Sequence, residues 1–190
     1  MKTTILSAIL LTGAAWLGSC CKPDPNLGAV TIVTTDQHMS NWCWAASAEM
    51  CMEYLGSPAI EQCDEANKQF GRTDCCNSPT PNACNNGGWP EFVKYGYTSE
   101  KTSDAPLTWD EIKNQIACRK VPFCNTWHWA GGGGHMMVIS GYAVIDGKQM
   151  VYLRDPLPVG AGSSRWLKYT DYVSGAGYTH WDDYYNIRKK

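Results

Sequence analysis

Gln37-His38-Met39-Ser40-Asn41-Trp42-Cys43-Trp44-Ala45-Ala46-Ser47 runs directly into Ala48-Glu49-Met50-Cys51-Met52-Glu53-Tyr54-Leu55-Gly56. Apolar side chains at 44, 48, 51, 52 and 55 recur with the i, i+4, i+7, i+8 spacing of a buried helix, and Gly56 closes it. Ser40 or Asn41 can cap its start. Cys43 then lies in the first turn, where unpaired backbone N–H groups and the positive end of the helix dipole favour a thiolate. That is the setting of a nucleophile. In a chain with ten Cys, the same residue could instead be one half of a disulfide. Gln37, six residues upstream, can bring its side-chain NH2 beside the thiol, where with the Cys43 backbone N–H it would hold an oxyanion.

Outward from this helix, a second short one fits residues 59–70, again closed by a Gly, and a third fits 108–118, where Thr108 and Glu111 have capping-box spacing. The period then changes. Residues 136–144 and 149–155 are β-rich runs around Asp146-Gly147, and 164–169 and 179–187 read as further strands. Helices first and an antiparallel sheet second predict an α+β fold, with no internal repeat and one core.

Before the Cys43 segment, Lys2 and the apolar stretch 5–17 have the form of a removable export signal, too short for the roughly 20 residues that span a bilayer. The stretch ends in Leu17-Gly18-Ser19-Cys20, which resembles a bacterial lipobox; an ordinary secretory cleavage near Gly18 is the alternative. The division expected is a signal at 1–19, a lipid-bearing Cys20 with a tether and an edge strand (Val30-Thr31-Ile32-Val33) over 20–36, and the catalytic domain at 37–190. Cys21 has no evident partner. Lys and Arg number 16 against 18 Asp and Glu, with no basic run, so charge favours neither nucleic acid nor an anionic membrane surface. The membrane is met through the anchor alone, on the bacterial cell envelope. The Cys spacings hold no zinc pattern, and disulfides in an oxidising compartment account for them better. Apart from Cys20, Cys21 and Cys43, seven Cys remain, so at least one stays free, and adjacent Cys75 and Cys76 need different partners.

Gln-x5-Cys-Trp-Ala-x-Ser resembles the active-site segment of the papain-like cysteine peptidases, and three later segments follow in the same order. Cys84-Asn85-Asn86-Gly87-Gly88-Trp89-Pro90 is similar to a papain segment whose two glycines let an extended substrate pair with the enzyme. Gly134-His135-Met136-Met137-Val138-Ile139-Ser140-Gly141-Tyr142 resembles the strand that opens with the catalytic His, and Val151-Tyr152-Leu153-Arg154-Asp155-Pro156 the strand that ends in the residue orienting it. The resemblance implies a papain-like fold, helical half against sheet half, and a peptidase without cofactor or metal, monomeric, acting on a peptide or protein. Cys43 is then the nucleophile, His135 the base and later acid, Asp155 its orienter, and Gln37 the oxyanion donor. Gly87, Gly88, Trp89 and Trp129 would meet the substrate. The chain departs from papain in two ways: Asp155-Pro156-Leu157 stands where papain has Asn-Ser-Trp, and Cys43 and His135 are 92 residues apart, against roughly 130 to 150. In both it is more similar to compact bacterial relatives, the bacteriocin-leader and avirulence-effector peptidases. The same residues would also serve an acyltransferase or amidase, and a non-catalytic binding module is the reading from another class.

His38, His128 and His180 read as structural. Gly131-Gly132-Gly133-Gly134 lacks the Lys-Ser/Thr and helix of a phosphate loop and reads as an approach to the cleft, with Trp127 and Trp129 as walls or as core. The hairpin register tests Asp155. With a two-residue Asp146-Gly147 turn, Asp155 falls opposite Val138, an odd number of residues from His135, and the two side chains point to opposite faces. A three-residue loop Ile145-Asp146-Gly147, or a bulge elsewhere such as at Gly141, moves Asp155 opposite Met137 and onto the His135 face.

Overall fold

The computed structural model describes residues 21–190. The stretch 1–19 expected to be an export signal, and Cys20, lie outside them. Strand β1 (Leu27–Ala29) is followed by helices α1 (Cys43–Tyr54) and α2 (Gln62–Phe70), then β2 (Tyr97–Lys101) and α3 (Trp109–Lys113). Strands β3 (Phe123–Trp129), β4 (Gly134–Ile145), β5 (Lys148–Asp155) and β6 (Ser163–Lys168) form a meander. A short α4 (Tyr169–Val173) and β7 (Ser174–Gly175) lead to β8 (Tyr178–Lys189). The sheet is antiparallel in the order β2-β8-β3-β4-β5-β6, and β1 takes the edge of β4 beyond the end of β3.

Side chains alternate across the sheet and divide the core. Met136 and Val138 of β4, with Cys124 of β3, pack against α1 and its Trp44, Met50 and Met52. Met137 and Ile139 turn to the other layer, against Phe123, Leu153, Ile112, Ile116 and Tyr172. His180 belongs to this second layer: its Nε2 is 3.2 Å from Asp183, which accepts the Leu107 N–H at 2.7 Å and the Tyr172 hydroxyl. It is a structural His, as its sequence context predicts.

α1 begins and ends where its periodicity predicts, and α3 carries the complete Thr108–Glu111 capping box, continued by one π-helical turn, Asn114–Cys118. Several expectations need correction. Neither Ser40 nor Asn41 caps α1, because both are engaged by Asn85: the Ser40 hydroxyl and the Asn41 N–H bond its side chain at 2.9 and 3.0 Å. Trp42 is the N-cap and supplies no side-chain bond, so the first-turn N–H groups are left for another acceptor. α2 starts at Gln62 rather than 59, since Ile60 is drawn into the core and Glu61 is extended. The N-terminal strand is Leu27–Ala29 rather than 30–33; only Val30 continues its bonding, to the Ser140 carbonyl at 2.8 Å.

The segment 20–36 is not a free tether, because Cys21 is bridged to Cys118. The other disulfides are Cys63–Cys76 and Cys75–Cys84, which gives the adjacent pair different partners. Three disulfides fit an extracellular or otherwise oxidising environment. Among the described residues no helix is long and apolar enough to cross a membrane.

Candidate active site

A cleft of about 670 Å³ opens where the start of α1 meets the ends of β3, β4 and β8. Cys43 and His135 both line it. His135 is 6% exposed, and its Nε2 lies 2.7 Å from Asp155 Oδ1, which leaves Nδ1 for the Cys43 side. Asp155 has two further partners: Oδ1 also accepts the Leu157 N–H at 3.0 Å, and Oδ2 accepts Arg165 Nη1 at 3.2 Å. Burial acts to lower the His135 pKa, but the Asp155 hydrogen bond and the Cys43 sulfur beside the ring outweigh it and raise the value from 6.5 to about 9. Burial acts the other way on Asp155, yet the bonds from His135, Leu157 and Arg165 hold it below the ordinary carboxylate value.

The register that allows this pair comes from β4. Val144 faces Gln149 and Ile145 faces Lys148, so the turn has two residues, Asp146 and Gly147, both with positive φ. The three-residue loop is not used. The shift falls between Ile139 and Gly141, where Ser140 is the extra residue; beyond it Val138 faces Arg154, which sets Asp155 level with Met137. A Cβ on Gly141 would come within 3.2 Å of the Gly28 carbonyl, so the bulge lies where β1 also crowds β4. Gly134 is similarly constrained: a Cβ there would lie 2.6 Å from the Trp127 carbonyl oxygen.

Gln37 is 1% exposed. Its Nε2 donates to the Met39 carbonyl at 2.8 Å, which fixes the amide while leaving one N–H uncommitted. Its backbone N–H donates to the Pro156 carbonyl at 3.0 Å, tying this arm to the end of β5. Gln62, which sequence reasoning missed, brackets the same arm. Its Oε1 accepts the His38 N–H at 2.9 Å, and its Nε2 donates to the Asp36 carbonyl at 2.8 Å and to Glu49 of α1 at 2.9 Å.

Gly87, Gly88, Trp89 and Trp129 all line the cleft. Gly88 has a packing reason beyond any substrate, since a Cβ would lie 2.7 Å from the Trp44 ring. The Trp129 ring is nearly parallel to the imidazole of His135, with centroids 6.4 Å apart. Trp127 is not a wall: it is 4% exposed, stacked on Tyr178 and bonded to the Tyr172 carbonyl. Trp181, also missed, lines the cleft and meets Trp89 edge to face at 4.6 Å.

The model of the Peptidase_C39 like family matches residues 30–186, a span that contains every one of these groups. The chain belongs to that family. Its fold agrees with solved papain-like enzymes at low identity. A structure from a study of the mite allergens Blo t 1 and Der p 1 is 14% identical with a TM-score of 0.60, over 89% of this chain and 73% of the other. Procathepsin L 3 of the Tenebrio molitor larval midgut is 13% identical with a TM-score of 0.56, over 88% and 71%. No curated protein sequence matches the chain. The protein is a papain-like cysteine peptidase, and the binding-module reading falls away.

Proposed function

We propose that this Peptidase_C39-like enzyme is exported, carries lipid on Cys20, and hydrolyses peptide bonds through Cys43, His135 and Asp155. The observation that carries the chemistry is the His135 ring held at 2.7 Å from Asp155 with the Cys43 sulfur on its other side. An imidazolium stabilised in this way favours the thiolate that attacks the scissile carbonyl. The oxyanion is met by the uncapped Cys43 N–H and the free Gln37 N–H. The imidazolium then protonates the leaving amine, and water, activated by the ring, hydrolyses the acyl-enzyme. Gly87 and Gly88 leave room for an extended substrate backbone, and Trp89 and Trp129 flank it. Cys43→Ala and His135→Ala should each abolish cleavage of a peptide library at unchanged fold; substantial turnover by a well-folded Cys43→Ala protein would refute the assignment. Export and anchoring rest on the apolar stretch ending in Leu17-Gly18-Ser19-Cys20. Mass spectrometry of the mature N-terminus in the native host tests them, and an unmodified N-terminus would remove the anchor.

A further inference from the structure

Cys51 and Cys124 are the two described cysteines that neither the three disulfides nor the proposed chemistry uses. Cys51 lies about two turns along α1 from Cys43. Cys124 lies on β3, three residues before Trp127, which faces His135 across the sheet. Neither side chain is exposed, and their sulfurs are 3.6 Å apart. We propose that Cys51 and Cys124 form a fourth disulfide in the mature protein, a covalent tie between the helix that carries Cys43 and the strand beside His135.

Three observations support it. First, the distance is already that of sulfur atoms in contact, and closing 3.6 Å to a bond of about 2.05 Å moves each sulfur by about 0.8 Å. Second, the bond strands no backbone group. As a thiol, Cys124 donates weakly to the Ser47 carbonyl at 3.6 Å, but that carbonyl lies inside α1, where the helix ladder supplies it with the Cys51 N–H. Third, a chain that acquires Cys21–Cys118, Cys63–Cys76 and Cys75–Cys84 meets a thiol oxidant as it folds.

The reaction is thiol–disulfide exchange with a small-molecule or protein disulfide. Two S–H bonds are lost and one S–S bond forms, and the oxidant's disulfide takes up the two electrons and two protons as a pair of thiols. Burial pushes the Cys124 thiol well up, so a thiolate is scarce once the core has closed. The bond therefore forms while α1 is still docking, and the same burial afterwards shields it from reductant. Cys43, half-buried in the open cleft, remains accessible, so a mild reductant can keep the nucleophile free without cutting the tie.

The test is a thiol map of the full chain after oxidative refolding with reduced and oxidised glutathione. The protein is unfolded in guanidinium with iodoacetamide and no reductant, then digested and weighed. The expected result is label on Cys43, and the Cys51 and Cys124 peptides joined and lighter by two hydrogen atoms, in more than half of the molecules. Label on Cys51 and Cys124 in half or more, or Cys124 joined to another cysteine, with the other three bridges intact, would overturn the proposal. In Cys51→Ala, Cys124 should become fully labelled; if that variant does not fold, the wild-type map decides alone.

Discussion

Asp155→Asn keeps the shape of the group that binds His135 Nε2 and removes its charge. In the native protein the ring is held at about 9 against an ordinary 6.5. At 1.36 kcal/mol for each tenfold step, the imidazolium gains about 3 kcal/mol from its surroundings. Asp155 and Cys43 supply that gain against the opposing effect of burial. A carboxylate in direct contact shifts a neighbour by about 1–3 pH units, so the ring of the variant should titrate between about 6 and 8. The thiolate–imidazolium pair persists only below the pKa of the ring, and the alkaline limb of kcat/KM should descend with it. Stability follows the same sign. Between 6.5 and about 9 the folded wild type binds a proton that the unfolded chain has released, so His135 contributes fully below 6.5 and its contribution is lost as pH rises through about 9. The variant should flatten that decline. The assay is kcat/KM for a fluorogenic peptide from about pH 5 to pH 10, beside an NMR titration of the His135 ring and the Tm at each pH. An alkaline limb that stays within about half a pH unit of wild type would refute the assignment of Asp155 as the charge that sets the ring.

Three other outcomes are expected. Gln37→Ala should lower kcat by about 10²–10³, as for one lost oxyanion donor, with KM little changed, and a wild-type kcat would exclude the amide from the reaction. Gln62→Ala frees Asp36 and His38 on both sides of Gln37, so it should reduce kcat more than KM; equal effects on kcat and KM would make Gln62 merely structural. Gly134→Ala drives a Cβ to 2.6 Å from the Trp127 carbonyl, a contact that backbone can relieve only by moving His135. It should cost about 1–3 kcal/mol of stability, read by chemical denaturation, and most of the activity.

What the sequence made legible was local. The 3.6-residue spacing over α1, the Thr108–Glu111 box and the β-rich runs of β4 and β5 are signals carried within a few residues of one another. β3 escaped notice because Asn125 and Thr126 are buried in its middle, so neither alternation nor an apolar run marks Phe-Cys-Asn-Thr-Trp-His-Trp as a central strand. The site was legible where residue type and spacing act together, as for Cys43 and His135. Arg165 and Trp181 reach the cleft region from β6 and β8, and only the order of strands in the sheet brings them there. Asp146-Gly147 signalled a two-residue turn and formed one, and the bulge that restores the register falls beside Gly141, the other place the sequence offered for it.

The Cys21–Cys118 bridge changes what an anchor on Cys20 would do. Without the bridge the first hold on the body would be at Asp24, whose carbonyl accepts the Tyr142 hydroxyl, followed by β1, so about four residues spanning some 14 Å would separate anchor from enzyme. With Cys21 bonded to the body, about one residue of slack remains, some 3.5 Å. An enzyme moored so tightly would stay close to its bilayer, and it would cut only those chains whose cleavage points come within that short reach. Its choice of substrate would then be set partly by geography, and opening the bridge would widen that choice without any change to the cleft.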